Sequence, residues 1–155
     1  MRTLAVLLAL GVLVAAAHAG ATILPQQGMA GVKLEMTKKQ VRAALGEPLG
    51  IRRGKNDFGP YTEFRYPFLV SVFFQGDRTV TSVRTSGRKE RTAQGIGVGS
   101  TEMDVKRKVP GARCKTFLGG FRQCFVGSFR PGTRVTDFQI KRGRVVRIDV
   151  GFVID

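Results

Sequence analysis

Laid on itself with an offset of 64, the chain matches its own second half, and that self-similarity limits the folds open to it more than any other feature. GVKLEMTKKQVRAALGEP (31 to 48) falls on GIGVGSTEMDVKRKVPGA (95 to 112). Gly31 meets Gly95, Val32 meets Ile96, Leu34 meets Val98, Thr37 meets Thr101, Val41 meets Val105 and Leu45 meets Val109. Farther on, Phe74-Gln75 falls on Phe138-Gln139. After one extra residue in the next turn, Val80 matches Val145 and Val83 matches Ile148.

Each copy has the same physical grammar. Thr37 and Thr101 stand where an N-cap hydroxyl accepts from the free N–H groups of a first helical turn. Behind them, Val41, Ala44 and Leu45, or Val105 and Val109, recur at helical spacing and form one apolar stripe. Gly46 and Pro48 stop the first helix, and Pro110-Gly111 stops the second. Strand-like runs follow at about 49–53, 61–67, 69–75 and 79–85, then at 112–117, 121–128, 133–140 and 144–153. The expected fold class is α+β: a tandem repeat of two units, each a short helical segment packed on a four-stranded antiparallel sheet. The units run over 29–85 and 95–155, joined by a basic linker at 86–94 and preceded by a flexible stretch at 20–28.

The glycine-rich stretch GIGVGS (95 to 100) invites a phosphate-loop reading, but it has neither the Walker pattern nor the third glycine of a dinucleotide fingerprint. The first copy builds the same element with Lys33 and Glu35 in place of Gly97 and Gly99. The stretch reads as a tight approach to a capped helix, and no nucleotide is expected.

The run Gly-apolar-x-apolar-x-x-Thr-x-x-x-Val-x-x-x-Leu-Gly-x-Pro, with the later FFQGDRTVTSV (73 to 83), resembles the opening of the SmpA/OmlA-type envelope domains. Its tandem arrangement, over about 28 to 155, is similar to the beta-lactamase inhibitor protein architecture. The resemblance implies paired units whose sheets form a concave surface that grips a protein partner without catalysis. In the lipoprotein branch it implies help with outer-membrane assembly. Two departures limit the transfer. The lipoprotein branch needs an N-terminal cysteine, which this chain lacks, and the turn near Pro67-Phe68 has no carboxylate to enter an enzyme's active site. Beta-lactamase inhibition is not carried over, and neither are that family's contact residues.

The first residues, MRTLAVLLALGVLVAAAHAG, carry Arg2, an uncharged run from Leu4 to Ala17 and a small-x-small ending at Ala19. That is the pattern of an export signal, here 1–19. The apolar run is shorter than the ~18 residues a bilayer span requires, so a secreted or envelope protein without a stable membrane span is expected. Cleavage would remove His18, the only histidine, and with it imidazole-activated nucleophiles and His-based metal sites. No enzyme activity, cofactor or metal is expected.

Cys114 and Cys124 sit ten apart, where an exporting compartment permits a disulfide. If Leu118-Gly119-Gly120 is a three-residue hairpin loop, counting outward places them directly opposite each other. A reactive thiol is the competing reading and lacks a histidine partner.

Charge is lopsided: 26 Lys+Arg against 11 Asp+Glu. Without Arg2 the balance is 25 to 11, a formal +14. A field of that size attracts polyanions, although 17 of the 26 are arginine and an arginine-rich codon bias gives the same count.

Alternation assigns Phe74, Val83, Phe138, Val146 and Ile148 to the helix side of the sheet. It assigns Tyr61, Glu63, Arg65, Phe73, Arg84, Phe125, Asp137, Gln139, Arg147 and Asp149 to the other side. Tyr61, Arg65, Phe73, Arg84, Phe125 and Arg147 are therefore candidate partner-binding residues, since aromatics and arginine dominate interface hot spots. The alternative is that these aromatics pack beneath a neighbouring loop or cover the junction between the two units. RRGKNDFGPYTEF (52 to 64) reads as a long contact loop with Lys55, Asp57 and Phe58 at its tip. The function these features favour is an exported, non-catalytic protein-binding module. The alternative is a polyanion binder acting on wall polymer, lipid headgroups or nucleic acid.

Overall fold

A computed structural model describes residues 22 to 154; the expected export signal lies outside the described residues. Three two-residue strands, β1 (Ile23–Leu24), β2 (Gly28–Met29) and β3 (Val32–Lys33), form a small antiparallel meander. The helix α1 (Lys38–Leu45) follows, then β4 (Gly50–Asn56), β5 (Gly59–Tyr66), β6 (Val70–Gln75) and β7 (Ser82–Thr85). The order then runs α2 (Glu102–Lys108), β8 (Arg113–Thr116), β9 (Arg122–Gly127), β10 (Arg134–Lys141) and β11 (Arg144–Phe152).

Both helices begin as their sequences dictate. The Gln40 amide donates to Thr37 Oγ1 at 3.2 Å and the Thr37 amide donates back to Gln40 Oε1 at 2.8 Å, which closes a capping box. At α2 the Asp104 amide donates to Thr101 Oγ1 at 3.1 Å. Each capping threonine also bridges to the hairpin of its own half, Thr37 to Thr79 and Thr101 to Arg144. Each helix buries one valine completely, Val41 and Val105. Phe74 and Phe138, matched by the 64-residue offset, are both at 0% exposure, and Val80 and Val145, matched after the extra residue, are at 0% and 1%.

A four-stranded sheet in each of two units was expected; the eight long strands instead form one antiparallel sheet in the order β4-β5-β6-β7-β11-β10-β9-β8. β7 and β11 join directly, Val83 opposite Val150 and Thr85 opposite Ile148. Hairpin counting cannot see this seam, because it is a pairing between strands far apart in sequence. Gly151 lies on it, opposite Ser82. A Cβ there would come within 2.6 Å of Ser82 Cβ, so the close approach of the two strands requires glycine.

One face of the sheet carries the helices. A row on that face runs Tyr66, Val70, Thr85, Ile148, Phe138, Cys124, Cys114 across seven strands. Phe64 and Phe74, fully buried beneath the same layer, pack edge to face with centroids 4.8 Å apart. Each such ring contributes roughly 1.5–3 kcal/mol through burial. Cys114 and Cys124 pair in register and form the disulfide, as the hairpin count requires.

Two segments differ from their sequence reading. Residues 22–28, expected to be flexible, are tied down: Ile23 is fully buried, the Thr22 and Ile23 amides donate to Arg91 O, and the Gln26 amide donates to Thr136 Oγ1. The meander also packs against β7 and β11, one strand from each half. The 86–94 stretch is no loose linker either, because Glu90 and Thr92 are each 3% exposed. Their polar, basic local sequence masked a role fixed by distant backbone partners.

Val146 is corrected as well. A bulge between Gln139 and Ile140 sets Ile140 opposite Val145 and Gln139 opposite Arg147, so Val145 takes the buried position. One extra residue shifts the alternation by one.

Candidate functional site

On the face away from the helices the strand registers align a second row: Arg65, Ser71, Arg84, Asp149, Asp137, Phe125, Arg113. It crosses the β7–β11 seam, so side chains from both halves share one surface.

In the first half this surface sinks into a hollow of about 540 Å³, lined by Tyr61, Phe73, Phe58, Arg52, Lys55 and Arg84 among others. Five of the nine residues singled out from sequence therefore meet in one place: Lys55, Phe58, Tyr61, Phe73 and Arg84. The 52–64 stretch is not the loop expected. Asn56 pairs with Gly59, so only Asp57 and Phe58 form the turn of a long β4–β5 arm. The Asn56 side chain donates to Gln75 Oε1 at 3.1 Å, and Gln75 Nε2 donates to Pro60 O at 3.1 Å, fastening the arm to β6. Gly59 has φ 102, a left-handed value that a turn this short requires. Asp57 is exposed at the tip and Arg65 is exposed on β5.

The Arg84 guanidinium lies over the Phe73 ring, 5.0 Å from its centroid, and its Nε donates to Asp149 Oδ1 at 2.6 Å. Arg147 Nε donates to the other oxygen, Oδ2, at 3.0 Å. Asp149 thus holds Arg84 across the seam and Arg147 on its own strand, and fixes the cation beside Phe73. Glu63, also in the hollow, accepts from Ser71 Oγ at 2.8 Å.

Phe125 departs from its expected role as an exposed contact. It is 8% exposed, and Phe129 packs on it with centroids 4.8 Å apart while Arg113 lies 5.1 Å from its centre. The β9–β10 connection covers it, the outcome given above as the alternative.

Sequence reading missed the meeting of Asp137 and Asp149, directly opposite each other on β10 and β11. Asp137 is 8% exposed; Gln123 Nε2 donates to its Oδ2 at 3.0 Å, while Oδ1 has no partner. Burial, and secondarily the Asp149 charge, push its carboxyl up to about 7. Both residues had been placed on one face; the hairpin register was the signal that would have paired them. Asp137 is thus nearly sealed from solvent, and Asp149 is held by two guanidiniums.

On α2, Glu102 is held down at about 2 by hydrogen bonds from Arg122 and then Lys106. It lies within 4.8 Å of the cysteine sulfurs, but the disulfide leaves no thiolate to join it in binding a metal.

The stretch from Gly95 is structural. The Gly97 amide donates to Ser100 Oγ at 3.1 Å and the Gly99 amide to Val145 O at 2.8 Å, so neither points at a ligand. A Cβ on Gly97 would come within 2.4 Å of Glu90 O.

No protein family matches the sequence, and no curated protein matches it. Solved structures do. An extracellular protein containing an SCP domain from Bacillus anthracis aligns with TM-score 0.52 at 14% identity, over 77% of this chain and 44% of that one. A cysteine-rich secretory protein from Staphylococcus aureus aligns at 0.48 and 12% identity, over 86% and 48%. A DUF4309-family protein from Bacillus subtilis aligns at 0.40 and 16%, over 75% and 78%. The chain spans less than half the length of the first two, and what it shares with the first is fold alone. The resemblance to SmpA/OmlA domains and beta-lactamase inhibitor proteins is not upheld: none of these neighbours belongs to either group. The Gly…Thr…Leu-Gly-x-Pro pattern specifies a capped helix and its stop, which a short helix needs on any sheet.

Proposed function

We propose that this chain is an exported, non-catalytic binding module that recognises a protein partner through the sheet face opposite its helices. The observation carrying this reading is the hollow in which Tyr61, Phe73 and Phe58 stand beside Arg52, Lys55 and Arg84. These are aromatics and cations of the kind that dominate hot spots, and the hydrogen bonds around Asn56, Gln75 and Asp149 preorganise them. Export is supported by the leader-like first residues, by the disulfide and by the extracellular name of the Bacillus anthracis neighbour. No helix among the described residues is long and apolar enough to cross a membrane. We further infer that the chain is a two-unit repeat whose halves fused at β7 and β11, given the matched caps and matched buried residues.

The test is crosslinking in the native envelope with the wild type and with Phe73→Ala/Arg84→Ala. A specific adduct should be lost from the variant while its melting temperature stays within a few degrees. An undiminished adduct would sink the reading.

A second reading has its own observation. Arg88 and Arg91, from the 86–94 stretch, gather with Arg144 around Gly99 and Ser100, and none of the three is in an ion pair among the described residues. Three unneutralised guanidiniums suit a phosphate-bearing polymer. Retention on such a polymer should then fall steeply with salt, and less steeply once all three are alanine.

A further inference from the structure

A second hollow, of about 250 Å³, opens beside the β5–β6 turn, where Leu45, Tyr66, Phe68 and Val70 meet Thr22 and Glu90. Its walls are mostly carbon, yet one of them is a carboxylate. Glu90 is 3% exposed, its Oε2 is buried without a hydrogen bond, and it forms no ion pair among the described residues. The neighbouring Lys89 does not neutralise it: its ammonium lies over the Phe68 ring, 4.2 Å from the centroid.

The carboxylate is held there by the backbone on both sides. The Arg91 amide donates to Thr22 Oγ1 at 2.8 Å, and Arg91 O accepts from the Thr22 and Ile23 amides. On the other side Glu90 O lies so close to Gly97 that no Cβ fits between them. A buried charge without a partner is costly, and the fold keeps this one where leucine or glutamine would avoid the cost. A donor cation small enough for the hollow would supply a partner for Glu90 Oε2, and carbon attached to it would cover the apolar wall. The volume lies below the ~300–1,000 Å³ of drug-sized sites, which limits the ligand to a few carbons.

We propose that the Glu90 hollow binds a primary ammonium group carried on a short apolar chain. The ammonium donates to Glu90, and the attached carbons lie against Leu45, Phe68 and Val70. Two sources supply such a group: a free or peptide-borne amine, and the α-amino group created if the leader is removed ahead of Gly20.

The test titrates ¹⁵N-labelled full-length chain with n-butylammonium and, separately, with n-butanol, and follows amide shifts. Butylammonium should saturate with shifts centred on Thr22, Tyr66, Val70 and Glu90. Butanol should bind at least about tenfold more weakly, the worth of one charged hydrogen bond. Glu90→Gln should remove that preference while leaving butanol binding unchanged. The source is separated by repeating the titration on the chain beginning at Gly20, with its amine free or acetylated. If acetylation restores butylammonium binding, the chain's own amine fills the site; equal binding to both forms assigns it to an external amine. Equal affinity for butanol and butylammonium overturns the proposal. So does the absence of saturable binding in both the full-length and acetylated chains, or an unchanged preference in Glu90→Gln. If that variant fails to fold, the wild-type comparison of the two probes decides.

Discussion

Replacing Asp137 by asparagine removes a charge that the sheet keeps almost dry beside Asp149, while leaving an oxygen to accept from Gln123. Its carboxyl moves from an ordinary 3.8 to about 7, burial being the larger cause and Asp149 the second. The folded state therefore holds this proton more tightly than the unfolded chain does. Stability is greatest below about pH 4 with respect to this group, falls as pH rises from 4 to 7, and is flat above 7, where both states are ionised. At about 1.4 kcal/mol per pH unit, the full loss has a ceiling of about 4 kcal/mol. Asp137→Asn should match the wild type near pH 4 and exceed it by up to that amount at pH 8. In urea melts with a slope of about 1.5 kcal/mol/M this is roughly 2 to 3 M in the midpoint. The difference between the two proteins isolates Asp137 from every other titrating group. If the midpoints stay parallel from pH 4 to 8, burial does not perturb Asp137 and the reasoning fails.

The opposite slope is expected at lower pH. Glu102 and Asp104, each held near 2 by hydrogen bonds, from Arg122 and from Thr101 respectively, contribute stability that is lost as pH falls from about 4 through 2; together with Asp137 they set a wild-type optimum near pH 4 to 5, checked by the same melts. Reducing the Cys114–Cys124 bridge, or replacing both cysteines by serine, should cost about 3 kcal/mol for a loop of this length, read by calorimetry with and without reductant. Gly97→Ala forces a methyl against Glu90 O and should cost on the order of 1–3 kcal/mol; a neutral result would mean that the 90–97 backbone contact is soft. Thr37→Ala and Thr101→Ala should each lose about 1 kcal/mol, and a much larger loss at one would mean that the two caps are not equivalent.

Much of the fold was legible because it rests on local chemistry. A threonine before an apolar stripe caps a helix in isolation, and two-residue alternation marks a strand before it pairs. The 114–124 pairing follows from counting outward from one turn. The candidate surface was half legible: Tyr61, Phe73 and Arg84 stand on the predicted face, but alternation alone could not choose between an exposed Phe125 and one packed beneath a loop. Val146 shows the limit of periodicity, since a single bulge moves the buried position to Val145.

Nothing local could reveal the seam. Whether β7 pairs with β11 depends on backbone groups 65 residues apart, as does the Arg84–Asp149–Arg147 bridge that fixes the cation beside Phe73. The same holds for Glu90, which looks like one charge in a basic run until Thr22 and Gly97 close around its backbone. Composition and spacing determined which elements form, because caps, stripes and turns act over a few residues. Tertiary structure alone decided which charges lose their water, because desolvation is imposed by neighbours that the chain brings back from far away.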